Sequence, residues 1–293
     1  MPGRPACALY VSGMNWDWIG PAIDLRPLFP VERDGLLELL AGLDADGWRR
    51  PTVCPGWDVH DIVAHIAHDH VRRLSGLRDQ HASDGFEPGE DLPGFINRVN
   101  QEFVETARRW SPAVLIDLIA HLGPQLDDVW AGLDLDGTAT IDVAWAEPGV
   151  PAPRWLDVAR EFSEFWIHQQ QVRDAVGHAG SVSDELAGAI VDTLIRGLPL
   201  TLRTHTGGPG THLGVRVTGP GAHLWVATRT AERWQLARVQ DLHACDATVE
   251  LSFDTLWRLA SRGISPDVAG RRSVLTGDPD LGHAALHLLS VIR

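Results

Sequence analysis

The chain has 293 residues, 44% of them hydrophobic and 22% charged, which suits one or two folded domains with a substantial core. Its formal net charge of −14 argues against general nucleic-acid binding and against docking on anionic membranes, because both need a basic surface. A basic-then-apolar leader pattern and apolar runs of about 20 residues are both lacking, so we predict a cytoplasmic protein without nucleic-acid or membrane partners. The three cysteines, Cys7, Cys54 and Cys245, are far apart and match neither a disulfide framework nor a Cys-x-x-Cys metal motif.

Apolar residues recur with helical spacing through the first two thirds of the chain. Asp58 follows a Pro-Gly turn and is a suitable N-cap for the second predicted helix, and Gly177 is expected to end the fifth. Segments rich in Gly, Asp and Pro at 82–93 and 134–153 are predicted loops. The predicted helices cover residues 31–43, the stretch that follows residue 58, 95–110, 111–133, 155–176 and 183–202.

The hydrophobic period changes after residue 203, where a Gly/Pro-rich segment precedes stretches that alternate apolar and polar residues. We therefore predict a helical domain over residues 1–205 and a small α+β domain over residues 206–293, with the boundary near 203–212. The expected fold class is α plus α+β. The predicted C-terminal elements are strands at 212–219, 223–229, 233–239 and 247–253, and helices at 256–263 and 279–292.

Glu164 and His168 stand four residues apart in the fifth predicted helix, so they share a face one turn apart. Apolar residues cover much of the same helix, and burying Glu164 without a partner would be costly. A divalent metal would remove that cost, and His65 in the second helix is the best candidate for a third ligand. Facing helices of a bundle often supply such sets, and three nitrogen and oxygen ligands are what an open zinc site needs.

Several residues near His65 compete for a role in this site. His68 lies one turn further on and His70 follows it, and surface or supporting positions fit both better than ligation. Asp61, one turn before His65, is a candidate to hold its second ring nitrogen. Cys54 precedes the Pro-Gly turn and has no evident base partner, which disfavours a role as nucleophile.

Two segments carry a family resemblance. The stretch PTVCPGWDVHDIVAHIAHD and, about a hundred residues later, SEFWIH followed by VRDAVG resemble the signatures of the DinB-like, mycothiol-dependent maleylpyruvate isomerase superfamily. The resemblance implies a DinB-type four-helix bundle with His65, Glu164 and His168 as ligands of a divalent metal, zinc before nickel or iron. It also implies a metal-activated low-molecular-weight thiol, mycothiol in actinobacteria, for isomerisation, addition or S-transfer on a small electrophile. The segments ATVELSFDTLWRLASRG and VLTGDPDLG are similar to the sterol-carrier-like C-terminal domain of many members.

The match is not complete, and two other functions stay open. Many members have Asp three residues after the second histidine ligand, whereas this chain has Gln171, so a supporting carboxylate is missing. Arg258 or Arg262 is a candidate to meet an anionic substrate, with solvated surface charge as the simpler reading. The alternatives are a non-catalytic metal-binding or regulatory module, and a metal hydrolase or lyase that uses activated water. A monomer or a homodimer is expected.

Overall fold

The computed structural model describes residues 16–81, 85–139, 143–180, 182–205 and 207–290, so Cys7 lies outside the described residues. The helices are α1 Phe29–Ala41, α2 Val59–Arg73, α3 Leu92–Ala107, α4 Pro112–Ala131, α5 Arg154–Val176, α6 Asp184–Leu194, α7 Leu198–Thr201, α8 Phe253–Ala260, α9 Pro266–Arg271 and α10 Pro279–Ala285. The strands are β1 His212–Thr218, β2 His223–Arg229, β3 Trp234–Val239, β4 Ala247–Ser252 and β5 Val274–Gly277.

The predicted fold class is confirmed, with a helical N-terminal region followed by a mixed five-stranded sheet. Helix α2 packs against α3, α4 and α5, and α1 packs on α4 and α5. The sheet has the order β3-β2-β1-β4-β5, with β1 and β4 parallel and the other neighbours antiparallel. In the part of the chain that the structure describes, every helix is too short or too polar to cross a membrane.

The C-terminal sheet region packs against α5 through helix α8. Trp166 of α5 packs on Phe253 and Trp257 of α8, with ring centroids 5.5 and 5.6 Å away. Arg258, the next residue of α8, donates to both carboxylate oxygens of Asp174 at the end of α5 and also pairs with Asp254. One apolar core therefore continues from the helices into the sheet region. Arg258, a candidate from the sequence to meet an anionic substrate, is already paired with Asp174 and Asp254.

Two parts of the C-terminal half differ from the predicted elements. The helix predicted over 183–202 is divided into α6, a 3₁₀ turn at Ile195–Gly197, and α7. Gly197 lies against the C-terminal segment so closely that a Cβ there would stand 2.6 Å from the Ser290 hydroxyl. Strand β5 and helix α9 were not predicted, because four and six residues are too few to show a clear hydrophobic period.

Candidate metal centre

A tight turn before α2 builds one wall of the site. The backbone N–H of Trp57 donates to the Cys54 carbonyl at 3.1 Å, and Gly56 between them has a φ of +80°. Pro55 at the second position and Gly at the third are the residues that a type II turn favours, because the third needs a positive φ. The turn brings the Trp57 ring to 5.5 Å from the imidazole of His65, measured between centroids.

The cap that starts α2 forms as the sequence predicts. The Asp58 side chain accepts the backbone N–H of Asp61 at 3.0 Å, which satisfies one of the free donors at the helix N-terminus. Asp61 returns a contact to the Asp58 N–H and accepts two bonds from Arg108, at 3.0 and 2.9 Å. The prediction that Asp61 holds the second ring nitrogen of His65 is therefore wrong. The His65 Nδ1 atom has no hydrogen-bond partner among the described residues.

His65 and His168 meet across the contact between α2 and α5. Their rings are perpendicular, with centroids 4.7 Å apart. On α5, the Glu164 Oε2 atom lies 3.5 Å from the Nε2 atom of His168. The structure therefore places His65 in ring contact with His168 and Glu164 beside His168, whereas the donor atoms of these three side chains do not all lie within 4.8 Å of one another. Glu164 is the most open of them, with 24% of its side chain exposed, against 9% for His65 and 11% for His168.

Gln171 supports the far side of the His168 ring. Its Oε1 atom lies 2.8 Å from His168 Nδ1 and 3.3 Å from the Cys54 sulfur, which donates to it. An N–H on Nδ1 makes Nε2 the atom that carries the free electron pair, and Nε2 is the atom that faces Glu164. The Gln171 amide thus orients His168 toward the site without adding a negative charge.

Asp69 is a residue of this cluster that the sequence analysis missed. Its Oδ2 atom lies 3.6 Å from His65 Nε2, and its other oxygen accepts a 2.9 Å bond from Arg72. The side chain is buried, with 7% of its surface exposed. The signal was in the sequence, because His65 and Asp69 have the same i, i+4 spacing as Glu164 and His168.

The four side chains influence one another electrostatically. Burial lowers the pKa of His65 to about 4, so its ring is neutral at pH 7 and able to bind a metal. Burial alone would raise the pKa of Glu164, but the hydrogen bond and charge of His168 and the nearby His65 outweigh it, and this pKa is lowered. For His168, burial is outweighed by Glu164 and Gln171, and its pKa is raised.

The neighbouring histidines have structural partners. His68 is stacked on Phe103 with centroids 4.5 Å apart, and its Nδ1 lies 3.2 Å from the Asn100 side-chain oxygen. His70 bonds the Ile66 carbonyl at 2.8 Å and stacks on Phe165. Both are buried, so the surface position considered from the sequence is wrong.

A buried ionic network fixes the helices beside the site. Arg73 of α2 donates to both oxygens of Asp157, at 3.0 and 2.9 Å, and to Glu161. Arg160 pairs with the same Asp157. Since removing one partner of a buried ion pair is strongly destabilising, the network holds α2 and α5 in the register that places His65 opposite His168.

The donor set suits a divalent metal in kind and in local spacing. Zinc takes His nitrogen and carboxylate oxygen at about 2.0–2.2 Å, so two donors on one ion lie no more than about 4 Å apart. The separations of 3.6 Å in the His65–Asp69 pair and 3.5 Å in the Glu164–His168 pair meet this condition. The donor atoms of the two pairs do not all lie within 4.8 Å of one another. A metal bound by both pairs would therefore require rotation of their side chains.

A second group has closer donors but is already occupied by protein contacts. Within the described ranges, Asp58, His60 and Asp61 are the one set of three whose donor atoms all lie within 4.8 Å of one another. The two carboxylates form the helix cap and bind Arg108, and His60 Nε2 lies 3.1 Å from the Trp110 carbonyl. The three side chains therefore have a structural role, because they connect the beginning of α2 to the segment at the end of α3.

Comparisons with known proteins agree with this architecture. The family described as mycothiol maleylpyruvate isomerase N-terminal domain matches residues 29–173. A crystal structure of a histidine-to-alanine variant of the mycothiol-dependent maleylpyruvate isomerase aligns with a TM-score of 0.51 and 15% identity, over 86% of this chain and 91% of its own. A second structure of that enzyme gives a TM-score of 0.49 and 16% identity, over 81% and 88%. No curated protein matches the sequence significantly.

Proposed function

Residues 29–173 belong to the mycothiol maleylpyruvate isomerase N-terminal domain family, and from this premise we propose that the protein is a metal-dependent enzyme that uses a low-molecular-weight thiol. The thiol is mycothiol, and the reaction is isomerisation, addition or S-transfer on a small electrophile. His65, Glu164 and His168 are the proposed ligands, and zinc is the proposed metal. The match to the family confirms the resemblance in the sequence, and the metal and the reaction are our proposals.

The observation that carries the proposal is the meeting of His65 with the Glu164–His168 pair across two helices. Each residue supplies the donor type that zinc accepts, and the partly exposed Glu164 gives the site an opening. An ion held there would supply the chemistry of a Lewis acid, lowering the pKa of a coordinated thiol from about 8.5 so that thiolate dominates at neutral pH.

The chain's own residues prepare the site for that chemistry. Burial keeps His65 neutral, and the Gln171 oxygen fixes which nitrogen of His168 faces the site. The Trp57 ring packs against one side of the His65 ring. The reacting sulfur would come from the co-substrate, so a protein nucleophile is not needed.

Two alternatives are separated by experiment. A non-catalytic module would bind metal without turnover of any thiol and electrophile. A hydrolase or lyase would use water on the same metal, and its cobalt form would not respond to thiols.

The test begins with elemental analysis of the purified wild type, His168→Ala and the control His178→Ala, whose ring is exposed just beyond α5. We expect one divalent ion per chain in the wild type and control, and loss of the ion in His168→Ala. The cobalt-substituted protein should then gain a sulfur-to-cobalt charge-transfer band when mycothiol is added. Unchanged metal content in His168→Ala would refute the ligand assignment, and water-dependent turnover without a thiol response would favour the hydrolase.

A further inference from the structure

We propose that Asp69 is a fourth protein donor to the metal, which closes the site while no thiol is bound. This inference rests on the proposed function, since it assumes a metal held by His65, Glu164 and His168. It adds a ligand that the resemblance does not imply. It also means that an incoming thiol has to compete with a carboxylate of the protein for its position.

The two helices α2 and α5 repeat the same local geometry. His65 and Asp69 on α2 place a ring nitrogen and a carboxylate oxygen 3.6 Å apart, and Glu164 and His168 on α5 do the same at 3.5 Å. In both pairs the nitrogen is Nε2, so the two pairs offer the same kinds of donor atom. Both spacings are close to the distance of about 3.4 Å that two donors have on a tetrahedral zinc.

Asp69 is buried at a place where few groups compensate its negative charge. Its side chain is 7% exposed, and a carboxylate so buried needs partners for both oxygens. Arg72 binds Oδ1 at 2.9 Å, while the contact of Oδ2 with His65 is longer than a normal hydrogen bond. A cation between Asp69 and His65 would satisfy both atoms.

Arg72 binds the oxygen of Asp69 that does not face His65. Its Nη2 atom already holds Oδ1 of Asp69, and it lies 3.9 Å from Glu161 at the edge of the buried network. A thiol at the fourth position would leave this ion pair in place, with only the other oxygen of Asp69 displaced.

Two substitutions at position 69 test the proposal, each with a control at Asp79, an exposed acid just beyond α2 that pairs with Arg78. Asp69→Asn removes the charge and nearly preserves the shape, and Asp79→Asn changes the net charge equally. Metal affinity is measured by competition with a chelator, and the cobalt forms are compared by visible absorption without added thiol. We expect Asp69→Asn to weaken metal binding more than about 100-fold, beyond the 10–100-fold typical of losing an outer contact, and to change the cobalt spectrum.

Asp69→Cys provides a gain of signal if the first variant does not fold. A cysteine at this position should give a sulfur-to-cobalt charge-transfer band with no thiol added, and Asp79→Cys should give none. The proposal is wrong if the Asp69→Asn spectrum equals that of the wild type or if the Asp69→Cys band is absent while cobalt is bound. A wild type that binds no metal would instead remove the proposed function itself.

Discussion

The Nδ1 atom of His168 and the Oε1 atom of Gln171 lie 2.8 Å apart, one turn along the same helix. Many members of the superfamily that this chain resembles have Asp at the position of Gln171. An amide oxygen accepts the ring N–H as a carboxylate would, so the orientation of His168 is kept and only the negative charge is lost. The departure in sequence therefore removes a negative charge beside His168, while Gln171 still supplies an acceptor for its ring N–H.

Gln171→Leu should weaken metal binding by about 10–100-fold, because the ring loses the contact that selects its tautomer and orientation. Gln171→Asp should strengthen binding relative to the wild type, since a carboxylate makes the imidazole a better donor. Chelator competition measures both. Gln170→Leu, at the half-buried neighbouring position, is the matched control and should bind metal as the wild type does. Equal affinity in all of these variants would contradict the role given to Gln171.

Cys54 is predicted to be dispensable, although it lies beside the site. Burial raises the pKa of its thiol to about 11, so very little thiolate is present at neutral pH, and its proton is directed to Gln171. Cys54→Ser should keep metal content and thiol-dependent turnover within a few-fold of the wild type. Peptide mapping should show slow alkylation of Cys54 by iodoacetamide at pH 7.5. Loss of turnover in Cys54→Ser with metal still bound would give this thiol a catalytic role.

The sequence predicted the parts of the site that a single helix can reveal. The i, i+4 spacing of Glu164 and His168, the Asp58 cap and the end of α5 at Gly177 depend on local geometry, and the structure confirms the cap and this helix end. His65 was selected from a different helix with the help of motif resemblance, and the structure brings its ring to 4.7 Å from that of His168.

What the sequence could not reveal depends on partners from distant elements. Asp61 and Asp69 lie four residues before and four residues after His65, but Asp61 is held in the helix cap by the Asp58 N–H and by Arg108. The burial of His68 likewise depends on α3, which is not readable from the helix that carries it. Short elements such as β5 acquire their structure from pairing with β4 and have little signal of their own.

Domain organisation leads to a third prediction. Residues 208–210, between the helical region and β1, are exposed, and two of them are glycines. A protease of low specificity at low concentration should cut near Gly207–Gly210 before it cuts the helices, and it should release fragments that match the boundary near 203–212. Mass spectrometry of the first fragments identifies the position. First cleavage within α5 would contradict the two-domain organisation.

The contact between α5 and α8 should be stabilised mainly by apolar packing. Trp257 is 4% exposed and packs on Trp166, so Trp257→Ala should lower the free energy of unfolding by about 3–5 kcal/mol. The Arg258–Asp174 pair is partly exposed, and Arg258→Met should cost no more than about 1 kcal/mol. Chemical denaturation of both variants measures the difference. A larger effect of Arg258→Met would show that the ion pair dominates this contact.

Glu32 of α1 should make stability depend on pH in the direction opposite to that of an ordinary acid. Its carboxyl lies in a small pocket between α1, α2, α4 and α5, and its Oε1 atom has no hydrogen-bond partner among the described residues. Burial raises its pKa from 4.5 to about 8, although Arg33, Arg173 and His168 oppose the shift. The folded protein therefore keeps the proton through a range in which the unfolded chain has lost it.

Between about pH 4.5 and pH 8 the unfolded chain binds fewer protons at Glu32 than the folded protein does, so this residue's contribution to stability falls as pH rises and becomes constant above pH 8. Glu32→Gln removes the titration and nearly keeps the shape. The stability of this variant relative to the wild type should increase steadily from pH 4.5 to pH 8, when measured by chemical denaturation at several pH values. Glu38→Gln, on the exposed face of the same helix, is the control and should show no such trend. A difference between Glu32→Gln and the wild type that does not vary with pH would mean that Glu32 has an ordinary pKa in the folded protein.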